Sequence, residues 1–232
     1  MHRKANVTRY GTTSFPYAGI DERVSDECVH DMIHPQESLR NGPSHLSHPD
    51  KQMTITLVGY RGCGKSSVAP LLAERLGYAC ADSDAEIERR AGLSIAQIFE
   101  CEQEAGFRQR ETAVLKDLLA QQHLVVAAGG GAILAEENRQ RMRAAGPVIW
   151  LTAPADVLAQ RISQDNASAS LRPSLTGRRI TDEVAEVLNA RKDLYAAAAT
   201  LQIDASQQTP AEIVHQILAA IADRVHPSGD AS

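Results

Sequence analysis

The chain lacks any run of about 18 consecutive apolar residues, the length that a membrane-spanning helix needs. It also begins without the apolar stretch that marks a secretory signal, so none is expected. A basic excess is missing too: 24 Lys and Arg stand against 29 Asp and Glu, a formal charge of −5. That balance argues against nucleic acid or an anionic membrane surface as the main partner, while leaving room for local cationic pockets. Cysteines are few. Cys28, Cys63, Cys80 and Cys101 are scattered and show no metal-ligand spacing. They fit a reducing compartment, and the expected location is cytoplasmic. No coiled-coil pattern or exposed apolar repeat is present, so a monomer is expected. Apolar material is not lacking: 43% of the 232 residues are hydrophobic, enough for the core of one α/β domain with a tail.

Residues 1–52 differ from the rest. They hold five of the eight histidines, several prolines and many Ser, Asn, Asp and Glu residues. Weak hydrophobic periodicity there predicts a disordered extension. Asp21, Glu22, Asp26, Glu27 and Asp31 argue against a transit peptide. His30/His34 and His45/His48 have metal-like spacing, but a solvated tail is the plainer reading. Met53 sits just before the first expected strand and is an alternative start. The domain is expected over 53–225, with a short disordered tail over 226–232.

From residue 53 onward strand and helix patterns alternate. Strands are predicted at Ile55–Val58, Tyr78–Asp82, His123–Ala128, Pro147–Leu151 and Leu201–Asp204. Helices are predicted at Ser67–Gly77, Ala85–Ala91, Glu102–Ala120, Glu136–Ala145, Pro154–Ser163 and Thr181–Ala198. Ser94-Ile95-Ala96-Gln97 and Thr209-Pro210-Ala211-Glu212 read as capping boxes that open two more helices. The small, polar stretch Gln164–Gly177 reads as a mobile loop. Such alternation implies an α/β fold, a parallel sheet covered on both faces.

The strongest chemical signal is Gly59-Tyr60-Arg61-Gly62-Cys63-Gly64-Lys65-Ser66, a G-x-x-x-x-G-K-S phosphate-binding loop. It stands between a strand and a helix, the context that this motif requires. Its glycines let the backbone curl so that several N–H groups meet one phosphate, and the helix N-terminus adds partial positive charge. Lys65 can reach the β- and γ-phosphates, and the Ser66 hydroxyl can ligate Mg²⁺.

Other groups gather around this loop in the expected topology. Asp82-Ser83-Asp84 ends the second strand, at the sheet edge where ligands sit. One carboxylate can hold Mg²⁺ through water and the other can accept a hydrogen bond from a substrate hydroxyl. A plain helix N-cap is the alternative. Arg108 and Glu111 are three apart on one helix, so the guanidinium is either a carboxylate fork or half of a surface ion pair. Gly129-Gly130-Gly131 ends the third strand; it offers either a close approach for a ligand or a simple turn. That strand lacks the terminal Asp that helps hold Mg²⁺ in many motor and signalling NTPases, which leaves Asp82 as the natural candidate. Arg172 lies in the polar loop and could close over a transferring phosphate, whereas Arg191 lies on the long helix as a second substrate clamp; a solvated charge is the alternative for each.

Six features in register resemble the shikimate kinase family: Gly59–Ser66, Asp82-x-Asp84, Phe107-Arg108-x-x-Glu111, Gly129–Gly131, Arg172-Pro173, and Arg191 followed by Leu194-Tyr195. The resemblance covers Met53 to about Asp223. It implies a P-loop NTPase-type three-layer sandwich with a five-stranded parallel sheet in the order 2-3-1-4-5 and a mobile lid. It also implies Mg-dependent transfer of the γ-phosphoryl of ATP to the 3-hydroxyl of shikimate, on the route to chorismate and the aromatic amino acids. By that likeness Lys65, Asp84 and Arg172 are catalytic. ATP meets Gly59, Arg61, Gly62, Cys63, Gly64, Lys65, Ser66, Ser67 and Arg172, with Arg161 packing on adenine. Shikimate meets Asp84, Arg108, Gly130, Gly131 and Arg191. Ser66, and Asp82 through water, hold Mg²⁺. The sequence departs from the family in its enlarged lid stretch Asn166–Ser170 and in Ser174-Leu175-Thr176 after Pro173. A related kinase acting on gluconate would share the loop but would not need two arginines around a cyclic carboxylate; against a catalytically silent P-loop regulatory module stand the intact Lys65, Ser66, Asp82, Asp84 and Arg172.

Overall fold

The structure is a computed structural model that describes residues 53–164 and 180–225. Five strands form one parallel sheet: β1 (Thr54–Val58), β2 (Ala79–Asp82), β3 (Leu124–Ala127), β4 (Val148–Thr152) and β5 (Leu201–Asp204). Their order is β2-β3-β1-β4-β5, with all neighbouring pairs parallel. The order implied by the family resemblance is therefore the one observed.

Among the described residues the helices are α1 (Lys65–Leu76), α2 (Ser83–Ala91), α3 (Ile95–Leu119), α4 (Glu136–Ala145), α5 (Ala155–Gln164), α6 (Ile180–Ala198) and α7 (Pro210–Val225). Alternation along each strand builds two cores. Ile55, Leu57, Val125, Ile149 and Leu151 face one cluster, which α1, α5 and α7 complete with Leu72, Leu158 and Ile213. Val58, Val126, Val148 and Trp150 face the other, with Ile87, Phe107, Leu115, Met142 and Tyr195 from α2, α3, α4 and α6.

Most predicted boundaries shift by one or two residues; α4 and β5 match as predicted. Helix α3 shows the larger difference. The capping box at Ser94 is present: its side chain accepts from the Gln97 N–H, and Gln97 reaches back to the Ser94 N–H. The helix that it opens, however, runs directly into the stripe predicted from Glu102, merging two expected helices into one interrupted element. The interruption is Gln103, at φ 59° and ψ −175°, in a backbone region that side chains avoid. The bend is braced by Arg110, whose guanidinium meets Glu102 through two hydrogen bonds of 2.7 Å. All five apolar positions of the predicted stripe, Phe107, Val114, Leu115, Leu118 and Leu119, are buried.

The register aligns the ends of three strands. Leu57 pairs with Ala127, and Ala127 pairs with Asp82. The segments that follow them, the phosphate loop, Ser83-Asp84 and the triple glycine, therefore emerge side by side at the carboxyl edge of the sheet. The predicted extension 1–52, the predicted lid apart from Gln164, and the predicted tail 226–232 lie outside the described residues.

Candidate active site

The phosphate loop is shaped by backbone geometry that needs glycine. Gly59, Gly62 and Gly64 have φ of 146°, 79° and 99°. A side chain at Gly59 would strike the Leu151 carbonyl of the neighbouring strand and come within 2.7 Å of Cys63 Sγ. Helix α1 starts at Lys65 with Gly64 as N-cap and no side-chain cap. The Ser67 and Val68 N–H groups turn back to the Gly64 carbonyl at 3.1 and 3.0 Å, which leaves those of Lys65 and Ser66 to an anion. Lys65 Nζ donates to the Gly59 carbonyl at 2.8 Å and the Tyr60 carbonyl at 3.1 Å, and lies 3.6 Å from Cys63 Sγ. Cys63 itself is buried and a free thiol, so it is part of the loop's packing.

Arg161 on α5 donates to the Gly62 carbonyl at 3.4 Å and to the carbonyls of Ala205 and Ser206 at 2.9 Å. It bridges the phosphate loop to the segment after β5, so the residue expected to pack on adenine lies beside that loop. Asp82 does act as the N-cap of α2: its Oδ1 accepts from the Asp84 and Ala85 N–H groups at 2.9 and 3.2 Å. The capping alternative describes that oxygen.

The triple glycine is the hub. A Cβ at Gly129 would collide with the Asp84 carboxylate, and one at Gly131 would collide with the Arg108 guanidinium. A Cβ at Gly130 would sit 3.8 Å from the Gly59 carbonyl. The segment is a turn, closed by the Ala132 N–H on the Gly129 carbonyl and the Leu134 N–H on the Gly131 carbonyl, and site side chains crowd it as well. Arg191 Nη1 donates to the Gly130 carbonyl at 3.2 Å. Three of the predicted substrate-binding side chains thus meet one loop, which itself lies against the phosphate loop.

Arg108 is not half of a surface pair. Its Nη1 donates to Glu111 Oε2 at 2.7 Å, and the Glu111 side chain is 2% exposed. Glu104 holds the same guanidinium from the outer side at 3.2 Å. Burial works against the Arg108 charge, but the Glu111 hydrogen bond and the two carboxylate charges outweigh it and raise its pKa. The guanidinium is fixed and permanently cationic, as capture of an anionic ligand requires.

Several supporting residues were not recognised as functional in the sequence. The buried Ser83 hydroxyl accepts from the Gly129 N–H at 2.8 Å. Asn138 Nδ2 donates to the Ala132 carbonyl at 3.1 Å, and Arg139 Nη1 donates to the carbonyls of Ile133 and Leu134. A polar Asn-Arg pair in the first turns of the helix after a glycine loop was the only available signal. Arg172 lies outside the described residues, so its expected role has no geometry here.

Among the described residues no group of three or more His, Cys, Asp or Glu could hold a metal. The nearby donors are the oxygens of Ser66 and Asp82. A hydroxyl and one carboxylate, completed by phosphate oxygens and water, suit Mg²⁺, which prefers oxygen and keeps part of its hydration. No described helix is long and apolar enough to cross a membrane.

A phosphate loop on the central strand of a 2-3-1-4-5 sheet, beside a carboxylate and two arginines, defines a P-loop small-molecule phosphotransferase. Comparison with known proteins narrows the class. The shikimate kinase family model matches residues 61–222. A shikimate kinase of Rhodopirellula baltica is 45% identical over 170 residues, covering 73% of this chain and 91% of that protein. Shikimate kinase 2 of Serratia proteamaculans is 46% identical over 168 residues, covering 72% and 95%. The Acinetobacter baumannii shikimate kinase, solved in complex with shikimate, superposes with a TM-score of 0.70 at 38% identity, covering 75% of this chain and 96% of that one. The chain belongs to the shikimate kinase family.

Proposed function

We propose that this protein transfers the γ-phosphoryl group of ATP to the 3-hydroxyl of shikimate, giving shikimate 3-phosphate and ADP. The observation that carries the reading is the convergence of Asp84, Arg108 and Arg191 on the glycine loop next to the phosphate loop. A small hydroxy acid needs both a cationic grip on its carboxylate and a group that accepts its hydroxyl proton. Arg108 supplies a rigid fork and Arg191 a second cation, and the Gly130 and Gly131 N–H groups, which make no hydrogen bond among the described residues, add neutral donors.

The chemistry follows from placement. The substrate oxygen forms a bond to the γ-phosphorus, the bond from that phosphorus to the β–γ bridging oxygen breaks, and the hydroxyl proton passes to Asp84. Lys65 and the N-terminus of α1 stabilise the charge that gathers on the phosphoryl oxygens. Ser66 and Asp82 would hold Mg²⁺, which supplies further positive charge to the phosphates. Little covalent assistance is needed, so alignment and charge account for most of the rate.

The test is a coupled ADP-release assay with Mg-ATP, with shikimate or gluconate as acceptor. Strong stimulation by shikimate and none by gluconate is the expected result. Equal or greater stimulation by gluconate, or ATP binding with no stimulation by either acid, would overturn the substrate assignment.

A further inference from the structure

The glycine loop is held by its carbonyls. The Gly129 carbonyl accepts from the Ala132 N–H at 3.0 Å, and the Gly131 carbonyl from the Leu134 N–H at 2.9 Å. Between them, the Gly130 carbonyl accepts from two side chains of α6: Tyr195 Oη at 3.0 Å and Arg191 Nη1 at 3.2 Å. A trans peptide is planar, and its C=O and N–H point in opposite directions. The Gly130 carbonyl and the Gly131 N–H belong to one peptide unit. Holding the first against α6 aims the second away from it. Gly131 is also the residue against which the Arg108 guanidinium packs.

The two ties on this carbonyl are not equivalent. Arg191 is also a candidate clamp for the substrate carboxylate, so its guanidinium is shared. Tyr195 has no such second duty. Its ring is 1% exposed and stacks on Trp150 with centroids 5.4 Å apart and planes 12° apart. Burial raises the phenol pKa, more than the nearby Arg191 charge lowers it, so the hydroxyl remains a donor throughout the working range. Tyr195 therefore holds the peptide whether or not Arg191 is engaged.

We propose that Tyr195 is a positioning residue for the acid substrate: its phenol fixes the Gly130–Gly131 peptide so that the Gly131 N–H is presented, beside Arg108, to the substrate carboxylate. The proposal rests on the functional reading above and adds a residue that touches no reacting atom.

The variant Tyr195→Phe removes one hydroxyl and keeps the stack on Trp150. Two readouts are taken on the full chain. The first is steady-state kinetics: KM for shikimate is expected to rise about three- to ten-fold, the scale of one neutral hydrogen bond, with KM for ATP and kcat changed less than about two-fold. The second needs no substrate: amide hydrogen exchange over residues 129–134 is expected to quicken in the variant while exchange in β3 stays as in the parent. Unchanged exchange in the loop, or exchange quickened equally in loop and strand, overturns the proposal. So does an unchanged KM for shikimate, or an equal rise for both substrates, in a parent enzyme that uses shikimate. If the parent does not respond to shikimate but the loop alone loosens, the substrate reading fails and the positioning role stands.

Discussion

A single methyl group can separate the two jobs of the glycine loop. Gly129 and Gly131 do not have positive φ, so alanine is conformationally acceptable at both. The obstacle at each position is the end of a side chain, Asp84 at Gly129 and Arg108 at Gly131, and not main chain. Gly131→Ala is expected to displace the Arg108 fork and raise KM for shikimate about ten-fold or more, with ATP affinity retained. Gly129→Ala is expected to displace the Asp84 carboxylate and lower kcat by up to about 10²-fold, the penalty of a misplaced catalytic group. Steady-state kinetics with each substrate varied in turn checks both; equal effects of the two variants on the same parameter would refute the division. The residue types in this site were legible from local sequence, because a glycine loop, an Asp at a strand end and an Arg-x-x-Glu helix face each have a recognisable pattern. Their mutual contacts were not. Ser83 meets Gly129 across 46 residues and Tyr195 meets Gly130 across 65. Such bonds leave no periodic trace: Ser83 and Tyr195 stand inside motifs that the sequence displays, but nothing local names the partner of either.

At the scale of elements, the capping boxes at Ser94 and Thr209 were readable because a short side chain and a Glu or Gln three residues later satisfy helix donors reciprocally. Thr209 and Glu212 do so, with the Thr209 N–H 2.7 Å from the Glu212 carboxylate. The break within α3 was visible only as a gap between two predicted helices, since glutamine carries no preference for φ near +60°. The backbone there is imposed by packing on both sides of the bend and by the Glu102–Arg110 pair. Such a conformation costs about 1–3 kcal/mol for a residue with a side chain. Glycine removes that strain, while the greater freedom it gives the unfolded chain costs up to about 1 kcal/mol. Gln103→Gly is therefore expected to stabilise the protein by about 1 kcal/mol, whereas Gln103→Ala, which keeps the Cβ, is expected to give no gain. Urea midpoints measured at constant slope distinguish them; a destabilised glycine variant would show that the bend is not strained.

For the whole molecule, strand–helix alternation was enough to announce a parallel sheet with two covered faces. It did not fix the order of the strands; that came from the family resemblance, because many orders satisfy the same alternation. The family match runs over 61–222, and among the described residues the two clusters draw on Ile55 to Ile217. A protein beginning at Met53 is therefore expected to keep kcat/KM for shikimate within about two-fold of the full chain and to melt at the same temperature. For a domain of this size about 1 kcal/mol shifts Tm by roughly 2–4 °C. A fall in Tm of more than about 4 °C would thus assign the first 52 residues over 1 kcal/mol of the native stability. A selective loss of kcat/KM at unchanged Tm would instead place part of the catalytic apparatus in the extension.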